Sequence, residues 1–575
     1  MADLHLSVDR AAGGIAGQIT RELREAVRQG RLAAGVRLPA SRELARDLGL
    51  SRGVVVEAYE QLVAEGFLVA KVGAGTRVAP AASRAPGSGP GPVTGPGPVI
   101  GPRSDSGSGP APGSSLGPGP GPGSGSGLGP GSGLGSGPGP GPGPGPGSGL
   151  GLGLGPGSAP VPGADGVLRR GSPGAGAERP VPADAGTPVH ECDYGRRPTS
   201  PDLRTFPRER WLAATRRVLA SLPAGALDYG DPGGVRELRE ELAAYLRRVR
   251  GADATADELV IVGGVAQGLS LTVQVLAGRF PEPGEHPGRD LGWFTGRAAH
   301  PADRERGLRL AVEDPTGLRQ LPLLRAAGAD LVAVPADEEG IDVAALAAAE
   351  VRAVLLTPAH HYPTGVVLSP RRRAELTEWA AATGAVVLED DYDAEFRFDR
   401  DPVGCLQGLA PGRVVLAGSV SKSLAPGLRL GWVVAPPHIA GAVRRARAEQ
   451  DMGSPVLEQH VLADLLRTGA YDRHLRRMRR EYRARRDALV RALAEHLPEV
   501  AVWGVSAGLH LFAELPGGWD ERAVAAAARA RGLAVEPVAP MRHRPGPPAL
   551  VMGFARLPAQ RAGEIVAAVA GDLAR

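Results

Sequence analysis

Only two of the 66 basic residues in this 575-residue chain are lysines, Lys71 and Lys422, and all the others are arginine. A lysine kept in such a background points to a need for a primary amine. Arginine cannot lose its proton in a protein and so cannot attack an aldehyde. Cysteine is nearly as scarce: Cys192 and Cys405 are too few for a disulfide framework, which fits a reducing cytoplasm. No run of about 18 uninterrupted apolar residues occurs, so no membrane span is expected. The opening Met1-Ala-Asp-Leu-His lacks the charged and apolar pattern of a secretory signal. Net charge is only +4, which excludes a strongly basic histone-like binder but leaves room for a module with a local basic patch.

What is present falls into three segments, more than one ordinary domain holds. Residues 1–79 read as a compact helical unit with a short β element. Residues 80–185 are dominated by Gly, Pro and Ser, including Pro138-Gly-Pro-Gly-Pro-Gly-Pro-Gly-Pro-Gly147. Such a segment cannot bury a core and is expected to be a disordered linker. It lacks the Gly-X-Y period of collagen. A flexible chain of that length spans roughly 55–60 Å r.m.s.. Residues 186–575 alternate amphipathic helices with short apolar runs: Leu259-Val-Ile-Val, Ala353-Val-Leu-Leu, Ala385-Val-Val-Leu and Val414-Val-Leu-Ala. These runs suit strands buried on both faces of a parallel sheet in an α/β fold, which binds ligands at the carboxyl ends of its strands.

In the first segment, Ile15, Ile19, Leu23 and Val27 fall at helical spacing. Pro39 and Ser41 open a second helix, Leu48-Gly49-Leu50 makes a tight turn, and Ser51 caps a third helix running to Gly66. Strand-like Phe67 to Lys71 and Thr76 to Ala79 flank Val72-Gly-Ala-Gly75 as a wing. This is the layout of a winged helix-turn-helix that reads double-stranded DNA. Arg52 at the start of the third helix reaches a base edge or a phosphate, with Ser51, Arg42, Gly75 and Arg77 as further contacts. The unit has 11 basic and 9 acidic residues, so charge alone does not decide between DNA and a protein partner.

A pyridoxal phosphate site needs an amine, a carboxylate at the pyridine nitrogen, a donor to the ring oxygen and phosphate anchors. The third segment offers each. Lys422 follows the strand ending at Gly418 and can form a Schiff base. Asp390 ends the strand Ala385-Val-Val-Leu-Glu-Asp, and Tyr392 follows it as the donor. Ser419, Ser421 and Arg429 surround the lysine. Gly264-Val265-Ala266-Gln267-Gly268, after another strand and at a helix start, presents backbone N–H groups to a phosphate.

Leu38-Pro-Ala-Ser-Arg-Glu-Leu-Ala, Leu48-Gly-Leu-Ser-Arg and Glu57-Ala-Tyr-Glu-Gln-Leu-Val-Ala-Glu-Gly66 strongly resemble the GntR-type winged helix-turn-helix. In the third segment, the order and spacing of the same features resemble class I aminotransferases of fold type I. Leu227-Asp-Tyr-Gly-Asp-Pro232, Glu313-Asp-Pro315, Thr357-Pro-Ala-His-His-Tyr-Pro-Thr-Gly365 and Glu389-Asp-Asp-Tyr-Asp-Ala-Glu-Phe-Arg397 together resemble the MocR family of regulators, which join both parts. The resemblance implies Lys422 as the lysine of the internal aldimine, Asp390 at the pyridine nitrogen with Asp391 as the alternative register, Tyr392 on the ring oxygen and Arg429 on the phosphate. It also implies Tyr229 on the phosphate of the partner subunit, and a domain-swapped homodimer with each reader packed on the other subunit's large domain.

The sequence departs from that pattern in several places. Gly53 stands where the recognition helix usually carries a polar residue. Val551 stands in Val551-Met-Gly-Phe-Ala555 where family members often have an arginine for an α-carboxylate, and Arg542 or Arg544 is a weak substitute. Glu313-Asp-Pro-Thr-Gly-Leu-Arg-Gln320 lacks the aromatic expected near the cofactor. Pro281 to Arg306 reads as an insertion, either a lid or a disordered surface loop, and the loop is favoured. These losses argue against efficient transamination. The expectation is a regulator that senses an amine, an amino acid or the cofactor itself, with an active aminotransferase carrying an accessory reader as the alternative. A third reading, a cofactor-free dimerisation domain, leaves the lysine, aspartate, tyrosine and arginine unexplained. No metal is expected at His360-His361, because no cysteine or acid is spaced to help. The arginine run from Arg473 to Arg486 reads either as a second nucleic-acid surface or as a solvated helix face, and its alternation with Leu475, Met478 and Tyr482 favours the solvated face.

Overall fold

The computed structural model describes residues 6–10, 13–71, 75–80, 197–280, 307–398 and 403–574. The expected linker, the Pro281–Arg306 insertion and the wing tip 72–74 lie outside the described residues.

The reader comprises α1 (Ile15–Arg28), α2 (Ser41–Asp47), α3 (Arg52–Glu65) and the antiparallel wing β1 (Leu68–Lys71) with β2 (Gly75–Val78). The apolar spacing seen in the sequence is the packing face: Ile19, Leu23, Val27, Leu44, Val55 and Leu62 are buried together. The helix starts differ in detail from expectation. Ala40 is the N-cap of α2, and the Glu43 carboxylate accepts its N–H at 3.0 Å. Ser51 sits at the N-cap of α3 with extended backbone, but its side chain makes no capping bond. Gly66 ends α3 in the left-handed region at φ 86°, where a side chain would be strained.

The large domain begins with α4 (Arg208–Ser221), α5 (Arg236–Arg250), β3 (Leu259–Val262) and α6 (Val265–Leu276). It continues through β4 (Leu308–Asp314), α7 (Leu321–Ala326), β5 (Ala329–Asp337), β6 (Gly340–Ile341), α8 (Val343–Ala348), β7 (Ala353–Leu356) and α9 (Pro370–Thr383). Then come β8 (Val386–Asp391), β9 (Val414–Ser419), β10 (Gly431–Val434), α10 (Pro437–Asp451), α11 (Val456–Arg467) and the long α12 (Ala470–His496). The chain closes with β11 (Ala501–Trp503), β12 (His510–Glu514), α13 (Glu521–Ala530), β13 (Ala534–Pro537), β14 (Ala549–Gly553) and α14 (Ala562–Leu573).

Eight strands form the central sheet in the order β3-β10-β9-β8-β7-β4-β5-β6, and a second sheet runs β11-β12-β14-β13. The four apolar runs read from the sequence are β3, β7, β8 and β9, and each is buried along its length save the last residue of β8. The sheet is not wholly parallel. β10 runs antiparallel to both β3 and β9. A parallel return needs a crossover of about a dozen residues or more, usually a helix. The short loop Val420–Leu430 turns straight back instead, and it carries Lys422 and Arg429 past the ends of the strands.

Within the single chain the reader packs on the large domain. Arg28 of α1 donates to the carbonyls of Gly408 at 3.0 Å and Ala252 at 3.3 Å, and also to that of Gly251. Arg24 and Glu65 form an ion pair at 2.7 Å, with side chains only 7% and 2% exposed. A Cβ on Gly404 would stand 2.8 Å from the Glu65 carboxylate carbon, so glycine permits this approach. No helix among the described residues is long and apolar enough to cross a membrane.

Candidate cofactor site and DNA-reading face

Strand alternation sends neighbouring side chains to opposite faces, and at the end of β8 this separates two adjacent acids. Asp390 lines a cleft of 510 Å³ together with Tyr392 and Lys422. Asp391 faces away and accepts from Arg250 Nε at 2.6 Å. The register left open by the sequence is thereby resolved in geometry: Asp390 is the acid in the cleft. Its Oδ2 accepts from Gln320 at 3.0 Å, while its buried Oδ1 has no partner. Burial raises the Asp390 carboxyl to about 7, with Gln320 and Lys422 opposing and Asp391 adding to the rise.

Lys422 donates to Thr199 Oγ1 at 3.3 Å. Burial lowers its pKa below the ordinary lysine value, against the pull of Asp393 and Asp390. Both shifts favour neutral forms, which is what an amine nucleophile needs. Tyr392 Oη lies 3.2 Å from His360 Nδ1, and Asp393 Oδ2 lies 3.0 Å from the same nitrogen.

The phosphate-side residues gather at one edge. Ser419 and Gly431 are paired across β9 and β10. A Cβ on Gly431 would come within 2.8 Å of Gly264 Cα, and one on Gly264 within 3.1 Å of the Arg429 guanidinium. Arg429 therefore lies against the turn that opens α6, with Ser419 beside it. Arg429 itself is non-glycine at φ 50°. Gln267 is differently employed from expectation: its N–H bonds the Gly264 carbonyl at 3.1 Å, and its side chain holds the Gly263 N–H at 2.6 Å and Asp451 at 2.8 Å. Val265 and Ala266 keep the free N–H groups of the first helical turn. Ser421 lies between Ser419 and Lys422, its N–H 3.4 Å from Ser419 Oγ. Tyr229 stands apart, 81% exposed.

Several cleft residues escaped the sequence reading: Thr199, Arg319, Gln320, Tyr362 and Glu536. Glu536 accepts from Arg319 at 2.7 Å and from the Tyr362 hydroxyl at 3.1 Å. It also pairs across the strands with Val551. Val551 is buried with Phe512, Val538, Met541 and Ala549. Where an arginine for a carboxylate was expected, the chain thus has an apolar cluster faced by an acid. Arg542 does not replace it, because its guanidinium folds back on the Pro547 carbonyl. The cleft's arginines are Arg197 and Arg319.

The expectation that no acid could join His360 needs correction. His360, Asp393 and His510 bring their ligand atoms within 4.8 Å of one another, all buried. These residues are far apart in sequence and converge only through the fold. His360 Nδ1 is already shared by Asp393 and Tyr392, so the cluster first of all supports Tyr392. Neither ring nitrogen of His510 has a hydrogen-bond partner among the described residues, and burial, with His360 beside it, holds the imidazole well below its ordinary pKa.

On the reader, Arg42, Ser51, Arg52 and Arg77 are exposed. Arg52 Nε lies 3.4 Å from Ser41 Oγ, which draws the starts of α2 and α3 together. Arg77 donates to the Gly35 carbonyl at 3.0 Å. Gly75 adopts φ 81° with the Arg37 guanidinium packed on it.

A helix-turn-helix with a wing, joined to an aminotransferase-like domain with a half-buried lysine in its cleft, defines a transcription regulator built on an enzyme fold. Residues 15–78 match the family "Bacterial regulatory proteins, gntR family", and residues 306–568 match "Aminotransferase class I and II". The HTH-type transcriptional regulator YhdI of Bacillus subtilis, itself uncharacterized, is 30% identical over 59% of this chain and 67% of its own. The HTH-type pyridoxine biosynthesis transcriptional regulator PdxR of Corynebacterium glutamicum is 28% identical over 89% of this chain and 85% of its own. Among solved structures, the kynurenine aminotransferase of Pyrococcus horikoshii superposes with a TM-score of 0.56 at 26% identity, over 66% of this chain and 90% of that one. The chain belongs to the MocR family of GntR-type regulators.

Proposed function

We propose that this regulator holds pyridoxal 5'-phosphate on Lys422 and that the state of that site sets the position of the DNA reader. The observation that carries this reading is the run Glu389-Asp390-Asp391. Asp390 offers an unpaired buried oxygen to the cleft, where a protonated ring nitrogen would satisfy it. Its two neighbours grip the surface on which the reader sits. Glu389 accepts the N–H groups of Leu406 and Gln407, each at 3.1 Å, and Asp391 holds Arg250. The carbonyls of Gly251 and Gly408, next to those groups, receive Arg28 of the reader. A change of charge at Asp390 is therefore felt one residue away by the groups that shape the docking surface.

When bound, the cofactor supplies an electrophilic carbon and an electron-withdrawing ring. Lys422 would engage the carbon, and Tyr392, held by His360, would donate to the ring oxygen. Arg429, Ser419, Ser421 and the N–H groups of Val265 and Ala266 would hold the phosphate. Gln267 would brace that turn from behind. The effector class is an amine, an amino acid or the cofactor itself. The buried Val551 cluster facing Glu536 weighs against a strong α-carboxylate clamp, and so against turnover as an aminotransferase. A regulator requires only different affinities in two states.

The reader would bind double-stranded DNA through Arg52 and Ser51 in the major groove, with Arg42, Arg77 and the Gly75 wing on the backbone. A homodimer is supported by exposed Leu212, Leu219, Leu227, Tyr229 and Met452 around α4 and the following segments. Tyr229 there would reach the partner's phosphate, and each reader would pack on the other subunit's large domain through the same docking face.

The test is the visible absorption of the purified protein after incubation with the cofactor, before and after borohydride, beside Lys422→Ala. A band that borohydride removes and the variant lacks is expected. Absence of any band would reject the cofactor reading. Arg52→Ala is expected to weaken DNA binding in a gel-shift titration while leaving that band intact. Unchanged affinity would reject the recognition helix.

A further inference from the structure

The arginine-rich stretch of α12 has an organisation that a solvated helix face does not need. Arg473, Arg476, Arg480 and Arg483 recur at intervals of three, four and three, which aligns them on one side of the helix. Leu475, Met478 and Tyr482 are buried on the other side, so the helix cannot roll the stripe away. Neighbouring arginines are satisfied. Arg477 donates to the Thr205 carbonyl at 2.9 Å, Arg485 pairs with Asp202 at 3.0 Å, and Arg486 with Asp487 at 3.0 Å. Among the described residues none of the four stripe arginines has an acidic partner or a hydrogen-bond acceptor. Like charges three and four apart on a helix repel, and this stripe leaves that repulsion unrelieved.

The stripe lines a groove of 570 Å³ that also includes Arg397 and Arg479. Arg397 borders a second cleft as well, together with Ser41 at the start of α2 and Thr76 in the wing. Arg476 and Arg479 border a third with Thr20 and Arg21 of α1. The arginine groove therefore runs up to clefts bordered by the reader, one of them lined by Ser41 and Thr76, the sequence neighbours of Arg42 and Arg77. From Arg473 to Arg483 the helix rises about 15 Å. Over that length one strand of a parallel duplex passes about four phosphates, at roughly 3.4 Å of axial rise each.

We propose that the Arg473–Arg476–Arg480–Arg483 stripe is a second contact surface for the phosphate backbone of double-stranded DNA, engaging the duplex beyond the segment read by the winged helix-turn-helix. This rests on the DNA-binding reading above. A phosphate track carries no base preference, so it would add affinity and salt dependence without altering the sequence read.

The test uses the full-length protein and a duplex selected by it from a randomised library. That duplex is prepared at about 60 base pairs and again trimmed to the shortest length that the wild type binds. R473Q/R476Q/R480Q/R483Q is compared with the wild type on both, and far-UV circular dichroism and the cofactor band report its fold. On the long duplex, affinity is expected to fall at least about tenfold. The slope of log affinity against log salt is expected to shrink by up to about 3.6, at about 0.9 per phosphate. Affinity for the trimmed duplex is expected to stay as in the wild type. If the fourfold variant misfolds, the pairs R473Q/R476Q and R480Q/R483Q should each give about half the change in slope. Wild-type affinity and slope on the long duplex would overturn the proposal, and so would an equal loss on both duplexes. If the wild type selects no DNA at all, the regulator's DNA-binding reading fails and the stripe's role with it.

Discussion

Asp390 and Asp391 are consecutive on β8, yet one carboxylate points into the cleft beside Lys422 and the other points away, to Arg250 Nε at 2.6 Å. The pleat of a single strand thus sets the group that faces the cleft beside the group that holds the reader's docking surface. Four predictions bear on how these parts are built.

The buried Asp390 carboxyl titrates near 7 instead of 3.8. A carboxyl raised on folding contributes fully below its unfolded pKa, and that contribution is lost as pH rises through the folded value. The cofactor-free protein should lose up to about 4 kcal/mol from this group between about pH 4 and pH 7, at about 1.36 kcal/mol per unit. D390N keeps the Gln320 bond but cannot ionise. It should be more stable than the cofactor-free wild type at pH 8, equal to it below pH 4, and unable to retain the cofactor. Urea unfolding at both pH values checks this. No difference at pH 8 would refute it.

His360 supports two groups at once, the half-buried Tyr392 at 3.2 Å and the buried Asp393 at 3.0 Å. His360→Phe takes the imidazole from the buried Asp393 carboxylate and leaves it only the Tyr392 hydroxyl, at a cost of about 1–3 kcal/mol. H360F/D393L removes both polar partners and should recover much of that loss. In both variants Tyr392 loses the imidazole that holds its hydroxyl, so the cofactor band should shift. An unshifted band in a folded H360F protein would remove His360 from the site.

In the reader, Glu65 is 2% exposed and binds Arg24 through both oxygens, at 2.7 and 2.8 Å. Glu65→Ala strands a buried guanidinium and should destabilise by about 3–5 kcal/mol. Loss of the pair should also loosen the contact with Gly404. Hydrogen exchange in α1, α3 and residues 403–409 would report it, and protection equal to the wild type would contradict the docking described here.

Gly53 lies in the first turn of α3, and a Cβ there would meet nothing nearer than Ser51 Oγ at 4.0 Å. Gly53→Ala should therefore stabilise the reader by about 0.5–1 kcal/mol. A thermal melt that moves downward would show that the backbone there departs from an ordinary helix turn.

The elements were legible where periodicity was strong. The Ile15–Val27 spacing gave α1, and the four short apolar runs gave β3, β7, β8 and β9, because burial on one or two faces leaves a direct mark on composition. The antiparallel β10 was not legible, since a buried Gly-Trp-Val-Val strand looks the same in either direction. The loop length before it held the only clue. Arg542 was a poor guess for a carboxylate clamp, because its guanidinium turns back on Pro547 and nearness in sequence says nothing about where a loop side chain turns.

By itself the sequence determined the division into a DNA reader and an α/β cofactor-type fold, and it singled out one lysine among arginines. Those are matters of composition, local spacing and motif order. Only the tertiary structure decided that Asp390 faces the cleft and not Asp391, and that Glu536 lies opposite Val551. The convergence of His360, Asp393 and His510, and the bare stripe of arginines beside the reader, were also settled only in three dimensions. Each depends on side chains from distant elements meeting across a sheet or groove, and a one-dimensional pattern does not record which acids find a partner.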